Sequence, residues 1–271
     1  MSKAWLVYEK AGAERNLGYI ELHKNRGVKY GIEFSLIICD EGLPEGKPDF
    51  AIVRAMRSDI TEELERRGVP TFNNSHVSRI CNNKARTYEY LHKNNIPVIP
   101  WISATQSDVP PKIEEYPKVI KPCCGHGGAG VSIISSNEEF EIRRTEIAPD
   151  EYLIQELATE IGRDKRVYII GNQVVASVQR IADGNDFRSN FSLGGKVEKS
   201  TLTKEEEDLI ADVCKLFDFD LAGIDIMYHE GRAVINEIED VVGSRMLYNT
   251  HEGLDIVDLY LGYILRKLKK S

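Results

Sequence analysis

An α/β (α+β) fold, with a small parallel α/β unit leading into a larger two-lobed region, is predicted by three observations. Strand and helix patterns alternate from residue 1 to about 75, as in parallel βαβ units. Further on, apolar runs flank turn residues in the manner of hairpins, as at Gly171-Asn172 and Glu230-Gly231. Finally, 271 residues, 42% of them hydrophobic, suffice for two domains or for one domain of two lobes with sizeable cores.

The elements follow in order. Ala4–Tyr8, Glu33–Cys39, Phe50–Arg54 and Val69–Phe72 read as strands, with helices near Glu14–Val28 and Ile60–Arg67 between them. Ser75–Ile80 and Asn83–Asn94 read as helices, the second closed by Asn94-Asn95 and Pro97. Val98–Ile102, Lys118–Lys121 and Val131–Ser135 read as strands, Asn137 as the cap of a charged helix, and Tyr152–Leu157 as another strand. Arg166–Gly171 and Val174–Arg180 form a hairpin. Lys204–Phe217 is an amphipathic helix capped by Thr203, with Glu at its third position. Asp255–Lys270 reads as a helix with a basic end.

Asp225, Glu237 and Glu239 carry the sharpest chemical signal. They flank a short hairpin pattern, Gly223–Tyr228 and Ala233–Asp240. A three-residue turn with Gly231 in the left-handed conformation pairs residue 225 with 235 and sets Glu237 diagonally across. Period-two alternation then points all three carboxylates the same way. Clustered carboxylates repel unless they share a proton or surround a hard cation, and Mg²⁺ takes one or two carboxylates plus water and substrate phosphates. The plainer reading is that one or two of them are solvated strand-face acids.

Phosphate ligands are available elsewhere. The stretch Cys123-Cys-Gly-His-Gly-Gly-Ala-Gly130 contains Gly125, Gly127 and Gly130 in a literal G-x-G-x-x-G. A dinucleotide motif requires a helix to start at those glycines. Here β-like segments flank the loop on both sides, so it is the tip of a hairpin, and no Gly-Lys-Ser/Thr follows to make a Walker loop. Its backbone N–H groups, Gly127 and Gly128 among them, can face phosphates while the loop closes as a flap. The alternative is a surface turn. Lys121 enters the loop and Lys84 opens the Asn83–Asn94 helix; both are candidates for an anion beneath it, although either alone reads as a solvated surface lysine.

A formal net charge of −8 argues against nucleic acid as a general partner. No apolar run approaches membrane-spanning length, and Met1-Ser-Lys-Ala-Trp-Leu-Val-Tyr-Glu is too short and too charged for a signal peptide. A cytoplasmic protein is expected. Five cysteines without metal-ligand spacing fit reduced thiols.

From Asn83 to Asp258 the ordered blocks resemble the ATP-grasp superfamily, most closely its RimK-type carboxylate–amine ligases. The blocks are Asn83-Lys84, Val119-Ile-Lys121-Pro with the glycine loop, Ile154-Gln-Glu-Leu157 and Gly162-Arg-Asp-Lys-Arg166. They continue through Val175–Arg180, Asp186-Phe-Arg-Ser-Asn190, Ala222-Gly-Ile-Asp225 and Asn236-Glu-Ile-Glu239. The resemblance implies an ATP-grasp fold: an N-terminal domain over 1–80, then an ATP-grasp domain over 81–271 with a smaller lobe (81–157) and a larger one (158–271). It implies that Lys84 and Lys121 contact ATP phosphates, that Gln155, Glu156 and Leu157 line the adenine pocket, and that Asp164 lies near the ribose. Arg180, Arg188 and Asn190 would face phosphates or an acyl phosphate, although Arg180 or Asp164 could equally pair across the sheet. Asp225, Glu237 and Glu239 would hold Mg²⁺, with Mn²⁺ as a second candidate.

The implied reaction joins a carboxylate to an amine through an acyl phosphate, releasing ADP and phosphate. Its partners are a small-molecule or peptide substrate with a carboxylate and an amine acceptor, with no nucleic acid or membrane and with a homo-oligomer as a candidate state. Glu239 stands where the family pattern has Asn, and Asp240-Val-Val-Gly-Ser-Arg245 lacks the family's Asn-x-x-Pro-Gly turn. A carboxylate at 239 still suits Mg²⁺; the altered segment puts the acceptor in doubt and motivates a rival reading, an ATP-binding regulatory or scaffold protein, while an ATP-grasp kinase is the nearest rival among enzymes. Arg245 is the candidate for the substrate carboxylate.

Overall fold

The computed structural model describes residues 1–125, 127–147, 151–182 and 196–270. Its first sheet takes β1 (Ser2–Tyr8), β2 (Ile32–Ile38), β3 (Phe50–Val53) and β4 (Thr71–Phe72) in the order β2-β1-β3-β4, all parallel. Parallel neighbours need crossovers, supplied by α1 (Lys10–Arg15) with α2 (Leu17–Lys29) and by α3 (Ser58–Arg66). The single helix expected over Glu14–Val28 is two. Asn16 leaves helical geometry and its Nδ2 donates to the Gly12 carbonyl at 2.8 Å, the competition that short polar side chains offer a helix. Helices α4 (Ser75–Cys81) and α5 (Lys84–Lys93) follow, capped by Asn74 and Asn83, whose side chains accept from Val77 N and Arg86 N.

The second sheet is antiparallel, in the order β5-β8-β6-β7: β5 (Trp101–Thr105), β6 (Lys118–Pro122), β7 (Ser132–Ile134) and β8 (Glu151–Glu156). Helix α6 (Asn137–Glu146) packs on it through Phe140 against Ile120, Ile134 and Tyr152. Two expectations shift here. Ser136, not Asn137, caps α6 by accepting from Glu139 N. Val98 is not in β5, because it bridges instead to Ile235 of the third sheet.

That third sheet, in the order β11-β10-β9-β12-β13, is also antiparallel: β9 (Arg163–Ile170), β10 (Gln173–Ile181), β11 (Lys196–Lys199), β12 (Leu221–His229) and β13 (Arg232–Glu239). Helix α7 (Lys204–Leu216) begins in a complete capping box between Thr203 and Glu206. It covers the face that carries Val167, Ile169, Ile224 and Ile226. On the opposite face Tyr168, Ile170 and Val178 share one core with Leu6, Phe50 and Phe72 of the first sheet and with α9 (Ile256–Leu268). Ion pairs Arg26–Asp255 at 2.6 Å and Lys29–Asp258 at 2.7 Å tie α2 to the start of α9. The short helix α8 (Arg245–Thr250) and strand β11 were not anticipated by the sequence pattern. Among the described residues no helix is long and apolar enough to cross a membrane.

Candidate functional site

The β12–β13 hairpin sets the carboxylates. Its turn holds two residues, Glu230 and Gly231, at φ of 51° and 74°, the double left-handed geometry of a type I′ turn. Left to run, that register would pair Asp225 with Asn236. A bulge between Asp225 and Ile226 inserts one residue, so Asp225 pairs with Glu237 instead. The expected pairing of 225 with 235 is therefore wrong, yet the facing survives: a shorter turn plus a bulge restores the parity that the longer turn would have given. One oxygen each from Asp225, Glu237 and Glu239 lie within 4.8 Å of one another.

Cross-strand pairing surrounds this cluster with cations. Arg166 on β9 lies opposite Asp225, and Arg180 on β10 lies opposite Asp164. Arg166 grips Asp225 with Nε and Nη2 at 2.7 Å each, and Nη2 also reaches Glu239 at 2.5 Å. Arg180 makes the same fork on Asp164, at 2.6 and 2.7 Å, and reaches Asp225 at 2.6 Å. Bidentate geometry of this kind is strong and directional. Burial opposes ionisation of Asp225, but the two guanidinium groups outweigh it and hold its carboxyl below the ordinary value. Glu239 goes the other way: burial pushes it up, Arg166 offsets this only in part, and Asp225 and Glu237 add repulsion.

Two lysines complete the end of the cleft. Lys84, the first residue of α5, donates to the Gly125 carbonyl at 2.9 Å and pairs with Glu237 at 2.9 Å. Burial works to lower its pKa, and Glu237 beside it prevails, so the net shift is upward. Lys121 on β6 is 4% exposed, lies 5.1 Å from the centre of the Tyr88 ring, and donates to Tyr88 Oη and Asn236 Oδ1 at 3.3 Å each. Among the described residues it pairs with no carboxylate. Burial, reinforced by the charge of Lys84, brings its pKa down to about 7. An anion beside it would reverse that shift.

Lys84, Lys121, Asp164, Arg180, Asp225, Asn236 and Glu237 line one open cavity between the second and third sheets. The glycine hairpin forms its roof through Gly125, Gly127, Gly128 and Ala129. At Gly130, with φ of 71°, a Cβ would stand 3.2 Å from the Pro122 ring, so the β6–β7 loop needs glycine there. Val119, Leu157, Ala158, Ile161 and Met227 make one wall apolar; Lys84, Lys121, Asp164, Arg180, Asp225 and Glu237 make the other charged. Gln155 and Leu157 face the cavity, whereas Glu156 does not. Strand alternation turns the Glu156 carboxylate away, to 3.4 Å from Lys118 and 3.5 Å from His229 Nε2. Arg180 and Asp164 do both things expected of them as alternatives, lining the cavity and pairing with each other. Glu239 and Arg245 line an adjoining cavity rather than this one. Arg188 and Asn190 lie outside the described residues.

Arg166 and Asn236 are the residues that sequence reasoning passed over. The signal for Arg166 was present, because Asp164, Arg166 and Tyr168 share one strand face by period two. Asn236 was hidden by the bulge that turns it into the same cleft as its neighbour Glu237.

The geometry has counterparts. Residues 81–263 match the model of the RimK-like ATP-grasp domain. The chain is 31% identical over 220 residues to a probable alpha-L-glutamate ligase of Haemophilus influenzae, covering 77% of this chain and 71% of that one. It is 28% identical over 232 residues to the glutamate–LysW ligase ArgX of Sulfolobus acidocaldarius, covering 79% and 82%. The crystal structure of a D-alanine–D-alanine ligase from Bacillus anthracis complexed with ATP superposes with a TM-score of 0.75 over 100% of this chain and 98% of that one, at 17% identity. That likeness is one of fold.

Proposed function

The chain belongs to the RimK-like ATP-grasp family and is an ATP-dependent carboxylate–amine ligase, and from that premise we propose how its own residues serve the reaction. A substrate carboxylate attacks the γ-phosphate of ATP, the bond to the β-phosphate oxygen breaks, and ADP leaves. An amine then attacks the acyl phosphate carbon and expels phosphate, with loss of a proton. The protein need supply no nucleophile, only position and charge.

The observation that carries this reading is Lys121, buried, without a carboxylate partner, and set beside Lys84 under the glycine hairpin. Such a pair donates to triphosphate oxygens, and the hairpin N–H groups add donors from above. The apolar wall of Val119, Leu157 and Met227 suits an adenine ring, and Asp164 suits a ribose hydroxyl. In this reading residues 81–157 are the smaller lobe, residues 158–271 are the larger, and residues 1–80 are the preceding domain. Asp225, Glu237 and Glu239 offer the oxygen donors that a hard cation prefers. Mg²⁺ held there would neutralise phosphate charge as it develops. Arg166 aligns Asp225 and Glu239, Arg166 and Arg180 together keep Asp225 ionised, and Arg180 faces the cleft where transferred phosphate charge would appear.

The names of the relatives favour an acidic amino acid as one substrate, joined to a small molecule or a peptide. Cytoplasmic location suits a consumer of ATP whose five cysteines are all unpaired. The test is incubation with ATP, Mg²⁺ and a panel of acidic amino acids, peptides and amines, followed by ADP assay and mass spectrometry. Substrate-dependent ADP with an amide product supports the reading. A phosphorylated substrate without amide, or nucleotide bound without turnover, refutes it.

A further inference from the structure

Beyond Lys84 and Glu237 the nucleotide cleft opens into a second cavity, sharing with it Lys84, Gly125, Gly127 and Glu237. Its far wall comes from the first 56 residues, with Arg15 at the end of α1 and Arg54 just after β3, and from Arg245, which opens α8. Among the described residues none of these three arginines pairs with a carboxylate.

Arg54 is the informative one. It is 9% exposed and its Nη2 donates to the Val242 carbonyl at 2.9 Å, while its guanidinium lies 5.1 Å from the centre of the Tyr19 ring. Its Nε is buried and has no hydrogen-bond partner. Asp240, close enough to feel its charge, has its oxygens bonded by Asn73 at 2.7 Å and Asn82 at 3.1 Å. A buried guanidinium without a counter-ion is costly. Arg54 lines a cavity that it shares with two more unpaired arginines and with only one acid outside the metal-type cluster, Glu9.

We propose that Arg54, assisted by Arg15 and Arg245, holds a non-reacting carboxylate of the acid substrate, so that the ligand of this cavity carries at least two carboxylates. This rests on the ligase reading for its direction. The reacting carboxylate lies at the end shared with Lys84 and Glu237, where the γ-phosphate would arrive, and the second carboxylate is turned toward Arg54. Planar guanidinium groups match carboxylates in two-point contact. Glu9, on the same wall, suits a ligand ammonium group. Arg54, with Arg15 and Glu9, is then what the first unit contributes to a site whose other wall comes from the rest of the chain.

Titration of the full chain, without nucleotide, with glutarate and with its monoamide glutaramate tests the assignment by calorimetry. Wild type should bind glutarate at millimolar concentrations or better and glutaramate about tenfold more weakly. Arg54→Gln should lose the same factor for glutarate and keep its affinity for Mg·ATP. Because Arg54 is buried and its variant could fail to fold, the exposed Arg15→Ala and Arg245→Ala variants serve as well, each expected about threefold weaker or more for glutarate. Equal binding of diacid and monoamide, no binding of either by wild type, or unchanged glutarate affinity in both exposed variants overturns the subsite. A wild type that binds glutarate in this pattern but not Mg·ATP supports the subsite and refutes the nucleotide site, so the two failures are distinguishable.

Discussion

The carboxylate cluster and the cavity beside it bury the same kinds of side chain and resolve their charges in opposite ways. Within the cluster each carboxylate has a cation: Arg166 and Arg180 fork onto carboxylates at 2.6–2.7 Å, Arg166 also reaches Glu239, and Lys84 pairs with Glu237. Around Arg54 in the second cavity, and around Lys121 at the edge of the cluster's own cleft, the partners are carbonyls, a hydroxyl, an amide oxygen and rings. The difference teaches where to look for ligands. Saturated charge fixes geometry and stays put, while buried charge lacking a counter-ion marks a position that a ligand of opposite sign completes.

The harshest way to break this contrast is Asp225→Asn. It takes from two buried guanidinium groups the carboxylate they share, leaving Arg180 with Asp164 and Arg166 with Glu239 alone, and removing one partner of a buried network costs up to about 3–5 kcal/mol. Denaturant unfolding should register that loss, and Mg²⁺-dependent nucleotide binding should vanish in calorimetry. Unchanged stability would mean that the network is not saturated as described.

Acid titration probes the unsaturated region next. His23 is fully buried on α2, and its pKa falls from 6.5 to about 4 through burial, with the Arg54 charge a smaller contribution. The unfolded chain therefore binds a proton that the folded chain refuses. Stability should fall as pH drops from 6.5 toward 4, by about 3 kcal/mol in full from this residue. Melting temperatures of wild type and His23→Gln across that range should converge as pH falls; parallel curves would show that His23 titrates normally.

Lys121→Met sharpens the comparison from the nucleotide side. Losing a charge-assisted phosphate contact should weaken Mg·ATP binding about tenfold or more. Stability should respond with the opposite sign. With a folded pKa near 7 against an ordinary 10.5, ligand-free wild type carries its penalty in full below pH 7 and sheds it as pH rises toward 10.5. The variant should therefore gain on wild type as pH falls, which melting curves at the two ends of that window will show.

Glu239→Asn should do least. Arg166 retains both contacts to Asp225, and Glu239 is already pushed up by burial, so the cost should stay below about 1 kcal/mol. ADP formation should persist in a coupled assay. A loss as large as that of Asp225→Asn would place Glu239 at the centre of the cluster.

Much of this was legible in the sequence. The alternation to residue 75 gave the parallel sheet because crossovers impose it, and the glycine loop read as a hairpin tip because β-like segments bound it on both sides. Period two placed the three carboxylates together even though the turn length was misjudged. What stayed hidden is local or long-range. A one-residue bulge leaves no trace in hydrophobic pattern, so Asn236 was missed. Helix α8, at six residues, and strand β11, at four, are too short to show a period. The cavity shared by Arg15, Arg54 and Arg245 joins residues 191 and 230 positions apart, which no spacing rule reaches.

The last helix seals the layer that the first strands begin. Ile256, Tyr260 and Leu261 share a core with Leu6, Phe50 and Phe72, so a nascent chain emerging N-terminus first holds an apolar sheet face uncovered until residue 261 has been added, some two hundred residues after the sheet's last strand. The opening unit must wait, shielded by chaperone or by transient collapse, before it acquires its lining. Removing α9 would therefore be felt first in the opening sheet.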